Sequence, residues 1–73
     1  MNINKIKMNL EKNKGKKLRF RFNGARNQTE EFCGILEGTY NYIFTIRLTE
    51  NDNIIKSFSY ADVLTDSLEI FIK

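Results

Sequence analysis

The chain has 73 residues with 12 basic and nine acidic side chains, a net charge of +3, nine aromatics, one cysteine and no histidine. That length allows one small domain, which buries only about 60% of the surface its unfolded form exposes. The missing histidines exclude a histidine-based catalytic triad, and a single cysteine leaves no ligand set for a structural zinc.

Residues 1–15 predict a short basic helix. Ile3, Ile6 and Leu10 recur at i, i+3 and i+7, a narrow apolar stripe, with Asn4 able to cap the start and Gly15 able to end the element. At about ten residues such a helix is marginal alone in water, so its stripe must dock on something. From Lys17 the period changes to two. Leu18, Phe20 and Phe22 alternate with Lys17, Arg19 and Arg21, the pattern of a strand with one buried and one wet face. Asn23-Gly24 supplies a turn, and the polar stretch Arg26 to Glu31 suggests a longer loop.

A second strand over Thr29 to Tyr40 carries Phe32 and Leu36 together with Gly34 and Gly38, whose missing side chains suggest a bulge or a sharp bend. Tyr42, Phe44, Ile46 and Leu48 alternate in a third strand, and residues 50–53 have the side chains of a hairpin turn. Ile54, Phe58 and Tyr60 form the inner face of a fourth, with Lys56 snorkelling from among them. Residues 60–66 are too short for a good helix and suit a 3₁₀ turn. Leu68, Ile70 and Ile72 define a fifth strand. Five short strands after a basic helix predict a mainly β fold, a five-stranded SH3-like small barrel in one domain: helix 1–15, barrel 17–73.

Four stretches carry a family resemblance: Gly15-Lys16-Lys17-Leu18, then Asn23-Gly24-Ala25-Arg26, then Gly34-Ile35-Leu36-Glu37-Gly38-Thr39-Tyr40, followed by Ser57-Phe58-Ser59-Tyr60-Ala61-Asp62-Val63-Leu64-Thr65. The chain resembles the Veg family over almost its whole length. The resemblance implies an SH3-like fold, a cytoplasmic protein of Gram-positive bacteria, and a stimulator of biofilm formation that raises matrix-gene transcription by opposing a repressor. It implies no catalytic residues and no cofactor, and a transcriptional regulator as the protein partner. One departure stands beside it: Asn27 follows Arg26 where an arginine is common.

Charge is unevenly distributed. Residues 1–21 hold eight basic groups against Glu11, a net of +7, while residues 22–73 hold four basic against eight acidic, a net of −4. Lys5, Lys12, Lys14, Lys16, Lys17, Arg19 and Arg21, with Arg26 nearby, could track phosphates, so nucleic acid is the alternative partner. A solvated face in a lysine-rich composition explains the same charges without a ligand.

Ile35, Ile43, Ile55 and Phe71 fall on the opposite parity from the core stripes, so a simple barrel leaves several of them in water and, with Tyr40, they form a candidate apolar interface; the docked N-terminal helix is the first expectation for covering part of it, a homodimer or a partner protein the alternative. Tyr40 and Tyr42 are the rings expected to be exposed, although a turn tyrosine more commonly packs on its own hairpin. Without tryptophan a proline-rich ligand groove is disfavoured. Asp62, Asp66 and Glu69 fit a hydrogen-bonded turn better than a cation loop, and adjacent Glu30 and Glu31 point to opposite faces and cannot flank one bond. The longest uncharged run, residues 38–46, is far short of the ~20 apolar residues of a membrane span. No signal peptide is recognisable in residues 1–17. A cytoplasmic location away from membranes is expected, in keeping with a lone, unpaired Cys33.

Overall fold

A computed structural model describes residues 2–24, 28–51 and 54–72. The elements are α1 (Ile3–Lys12), β1 (Lys17–Asn23), β2 (Thr29–Thr39), β3 (Ile43–Leu48), β4 (Ile55–Ser59), α2 (Tyr60–Leu64) and β5 (Leu68–Phe71). All five strands join one antiparallel sheet in the order β4-β3-β2-β1-β5.

The expected barrel is not closed. Among the described residues β4 and β5 are the two edges of the sheet and do not pair with each other. The inner face is instead capped by α1, whose Ile6 and Leu10 are buried with Leu18, Phe20, Phe32, Leu36, Phe44, Ile46, Tyr60 and Leu68. The helix that was expected to shield the outward isoleucines thus covers the opposite face, because its two-residue stripe completes the aromatic core.

That core is a run of rings. Phe20 stacks on Phe32 at 5.4 Å, Phe32 on Phe58 at 5.9 Å, and Phe44 on Tyr60 at 5.6 Å. Such pairs add about 0.5–1.5 kcal/mol each beyond the area they bury. Lys56 snorkels as expected. Its ammonium lies 5.1 Å from the centre of the Phe32 ring and reaches Glu30 at 2.7 Å.

Several local expectations change. Asn2, not Asn4, caps α1, its side-chain oxygen accepting from the Lys5 amide at 2.9 Å. Helix α1 ends at Lys12, and Gly15 lies beyond it at φ +87°, where a residue without Cβ turns the chain into β1. Strand β2 starts at Thr29, where the second strand was expected, and ends at Thr39, so the polar residues 29–31 belong to the strand and not to the loop. The Gly24 amide donates to the Gln28 carbonyl at 2.7 Å across it, and Arg26 lies outside the described residues.

The bulge falls between Leu36 and Gly38, where the register with β3 shifts. Ile54 precedes β4 and is exposed, and Ile72 lies just beyond β5. Residues 60–64 form a one-turn α-helix in place of a 3₁₀ turn. Ser59 accepts from the Asp62 amide while Asp62 accepts from the Ser59 amide, a reciprocal cap that holds a helix otherwise too short to persist. None of the described helices is long and apolar enough to cross a membrane.

Candidate functional site

Two surfaces follow from this arrangement. The first is the outer face of the sheet. Cross-strand register lines up Lys17, Ile35, Arg47 and Ile55 in one row, and Phe71, Arg19 and Cys33 in the next. Arginine–carboxylate pairs lace these rows. Arg19 binds Glu31 at 2.8 Å, Arg21 binds Glu69, and Arg47 grips Glu37 through two hydrogen bonds of 2.8 Å each. The guanidinium groups of Arg19 and Arg21 also lie 5.4 and 5.7 Å from the centre of the Phe71 ring.

Ile35, Ile43, Ile55 and Phe71 are exposed. They are spread among these cations rather than fused into one apolar strip: Ile43 faces Ser59 at one end of β3 while Ile55 faces Arg47 nearer the other. Hydrogen bonds from Arg19, Arg47 and Arg21 hold the carboxyls of Glu31, Glu37 and Glu69, respectively, below the usual glutamate range, and Glu69 raises the pKa of Arg21 in return.

The second surface lies where α1 runs into β1. The link between them is tied alongside β2, the Gly15 amide donating to the Leu36 carbonyl at 2.7 Å and the Leu36 amide to the Lys16 carbonyl at 3.3 Å. Lys12, Lys14, Lys16 and Lys17 therefore gather at one end of the sheet. All four are exposed, and none forms an ion pair among the described residues.

The predicted basic set thus divides. Lys5 sits seven residues back along α1, about 10 Å away at 1.5 Å per residue. Arg19 and Arg21 are held by carboxylates on the outer face. The cluster of four lysines remains uncompensated beyond the local Glu11, which also bears on the buried Tyr60 hydroxyl.

At this same end the β2–β3 turn carries Tyr40 and Tyr42, 56% and 83% exposed. Tyr40 does pack back on its hairpin, its ring lying where a side chain on Gly38 would stand, yet more than half of it stays in solvent. Tyr42 projects freely. Tyr40 is also a candidate for the apolar contact with Ile35, Ile43, Ile55 and Phe71, and its ring lies over Gly38, which pairs with Thr45 on the outward parity of β3. Tyr60, read from its period as the last inward residue of β4, starts α2 and clamps this turn, its hydroxyl donating to the Tyr40 carbonyl at 2.6 Å and its amide to the Tyr42 carbonyl at 3.2 Å. Burial pushes the Tyr60 hydroxyl pKa up.

Of the acidic residues near β5, Asp62 caps α2 and Glu69 pairs with Arg21 through their carboxylates, while Asp66 accepts from the Asn23 side chain through its backbone carbonyl at 3.0 Å. Among the described residues no three His, Cys, Asp or Glu side chains come together as a metal site. A groove of about 380 Å³ between α1, α2 and β5, floored by Leu10, Leu68 and Ile70 and edged by Phe71 and Ile72, was not foreseen. Its only sequence signal is the apolar character of both strand parities near the end of the chain.

A family model described as biofilm formation stimulator VEG matches residues 1–71. No curated protein matches the chain.

Proposed function

Because the chain belongs to the Veg family of biofilm formation stimulators, we propose that it is a non-enzymatic binding module on an SH3-like β framework that acts in the cytoplasm and raises matrix-gene expression by opposing a transcriptional repressor through protein contact. The family supports the biofilm role. The observation that carries the contact is the outer face, where exposed Ile35, Ile55 and Phe71 stand between arginine–glutamate pairs. Apolar anchors among charges that a partner can partly desolvate are the composition of a non-obligate protein interface.

The test is a matrix-gene reporter in cells whose own copy is replaced by the double variant Ile35→Asp/Ile55→Asp. Both side chains point to solvent, so a thermal melt should show the variant folded. Stimulation of the reporter is expected to fall to the level of cells lacking the protein, and full stimulation by a folded variant would refute the outer-face contact.

A second reading, direct nucleic-acid binding through the basic helix and first strand, is favoured by one observation: the four lysines at the α1–β1 link are exposed and form no ion pair among the described residues, whereas the neighbouring arginines are neutralised by carboxylates. Its signature is affinity that falls with salt, by a log-log slope of about −0.7 for each phosphate engaged on a single strand and about −0.9 on a duplex.

A further inference from the structure

We propose that the α1–β1 link and the β2–β3 turn together form a site for single-stranded nucleic acid, with lysines on the phosphates and the rings of Tyr40 and Tyr42 stacked on bases. This rests on the second reading above and deepens it, by naming the form of the polymer and the side chains that select it.

Bases can stack only on rings that are exposed, near the backbone charges and held in place. Tyr42 at 83% and Tyr40 at 56% exposure meet the first condition. The second follows from the pairing of the link with β2 at Leu36. Tyr40 lies over Gly38, two residues beyond Leu36 and so at most about 7 Å along β2, which sets its ring at the end of the sheet where the link carrying Lys14 and Lys16 is tied down.

The third condition is the least common in a surface turn. The Tyr40 amide donates to the Ile43 carbonyl at 2.8 Å, and the carbonyls of both tyrosines accept from the buried Tyr60. The backbone beneath the rings is fixed before any ligand arrives, so stacking costs little ordering of the turn. Gly38 adds to this: its missing side chain lets the Tyr40 ring rest on β2.

Charge separation along the sheet supports an anionic ligand here. Glu30, Glu31, Asp66 and Glu69 lie toward the Asn23 end of β1 or its neighbours, and the lysines lie at the Lys17 end, where Glu37 is taken up by Arg47 and Glu11 is the remaining local carboxylate. Lysine is depleted at protein interfaces, so a lysine cluster beside tyrosines favours a polyphosphate over a protein partner. A duplex keeps its bases stacked on one another and offers these rings nothing, which selects the single strand.

Fluorescence anisotropy with a labelled ten-nucleotide strand, as RNA and as DNA, and with the matching duplex, tests this on the full chain over a range of salt. Single strands are expected to bind more tightly than the duplex. Tyr42→Ala is expected to weaken single-strand binding by about five- to 150-fold with the salt slope unchanged, and Tyr42→Phe to restore it. The variant Lys14→Gln/Lys16→Gln should make the slope shallower by about 1.4. Tyr42 contributes only a backbone carbonyl to the fold, which alanine also supplies, so these variants keep their structure. RNA and DNA binding alike points to bases and phosphates as the recognised groups; preference for RNA adds the 2′-hydroxyl; either supports the site. Salt-dependent binding that is as tight for duplex and indifferent to Tyr42→Ala overturns the stacking site while leaving the electrostatic reading in place. Absence of binding to any of the three at low salt overturns both.

Discussion

Gly34 is held by space rather than by backbone conformation. It sits in regular register opposite Leu48, facing the interior, and a Cβ there would collide with the Ile46 methyl and come within 3.0 Å of the Arg47 carbonyl. Ile46 is fully buried and the carbonyl belongs to the β3 backbone, so neither can withdraw without opening the ladder. Gly34→Ala should therefore cost about 1–3 kcal/mol, read as a loss of about 4–8 °C in thermal midpoint per kcal/mol. Gly38→Ala should cost less, since the atoms it meets are the outer end of the Tyr40 ring, which can swing away. From sequence both glycines signalled irregularity in β2, but only Gly38 belongs to the bulge. A glycine required by a neighbour's methyl leaves no local trace, because the neighbour is twelve residues away. Tyr60 shows the same blindness. Its ring was legible as core, whereas its hydroxyl partner, the Tyr40 carbonyl, depends on how α2 meets a turn twenty residues earlier. Tyr60→Phe leaves that carbonyl without its donor and should cost about 1 kcal/mol by the same measurement.

Helix α1 illustrates what an apolar period does and does not encode. The spacing of Ile6 and Leu10 marks a helix that must dock, and both are buried. Where it docks is set by the hole left at the inner face of an open sheet, which no spacing within α1 describes. Ile3, though part of the same stripe, remains exposed because it lies in the first turn. Leu10→Ala should therefore destabilise by about 2–5 kcal/mol, while Ile3→Ala should stay within about 0.5 kcal/mol, a contrast that urea denaturation of the two variants would reveal. Equal effects would mean that the helix is held by its ends rather than by its stripe. Helix α2 departs from the 3₁₀ expectation for a different reason. Ser59 and Asp62 are three apart, the spacing of a reciprocal cap, and that signal outweighs the shortness of the segment.

At the scale of the molecule, the alternation in β1, β2 and β3 made the sheet readable. Its closure was not readable, since closure depends on whether the two edge strands meet, and edge contacts have no period. The outward parity was legible too, yet not its pairing: Glu31, Glu37 and Glu69 find Arg19, Arg47 and Arg21 across strands. These pairs give the fold a pH dependence of defined sign. Each carboxyl titrates lower in the folded chain than in the unfolded one, held there chiefly by the hydrogen bond from its arginine. Stability from such a group is fully present above the ordinary glutamate pKa of about 4.3 and is lost as pH falls through the lower folded value. Protonation also frees the arginines in a chain already carrying a net +3, so self-repulsion acts in the same direction. Urea midpoints should thus stay nearly level from pH 7 to about 5 and fall below about pH 4. Glu37→Gln removes the charge and one of the two acceptor oxygens in the two-bond grip by Arg47 and should lower the midpoint at pH 7 while making the acid-side decline shallower. An acid decline as steep in Glu37→Gln as in the parent would show that this pair contributes nothing to the pH response, leaving Glu31, Glu69 and the self-repulsion of the cationic chain to account for it.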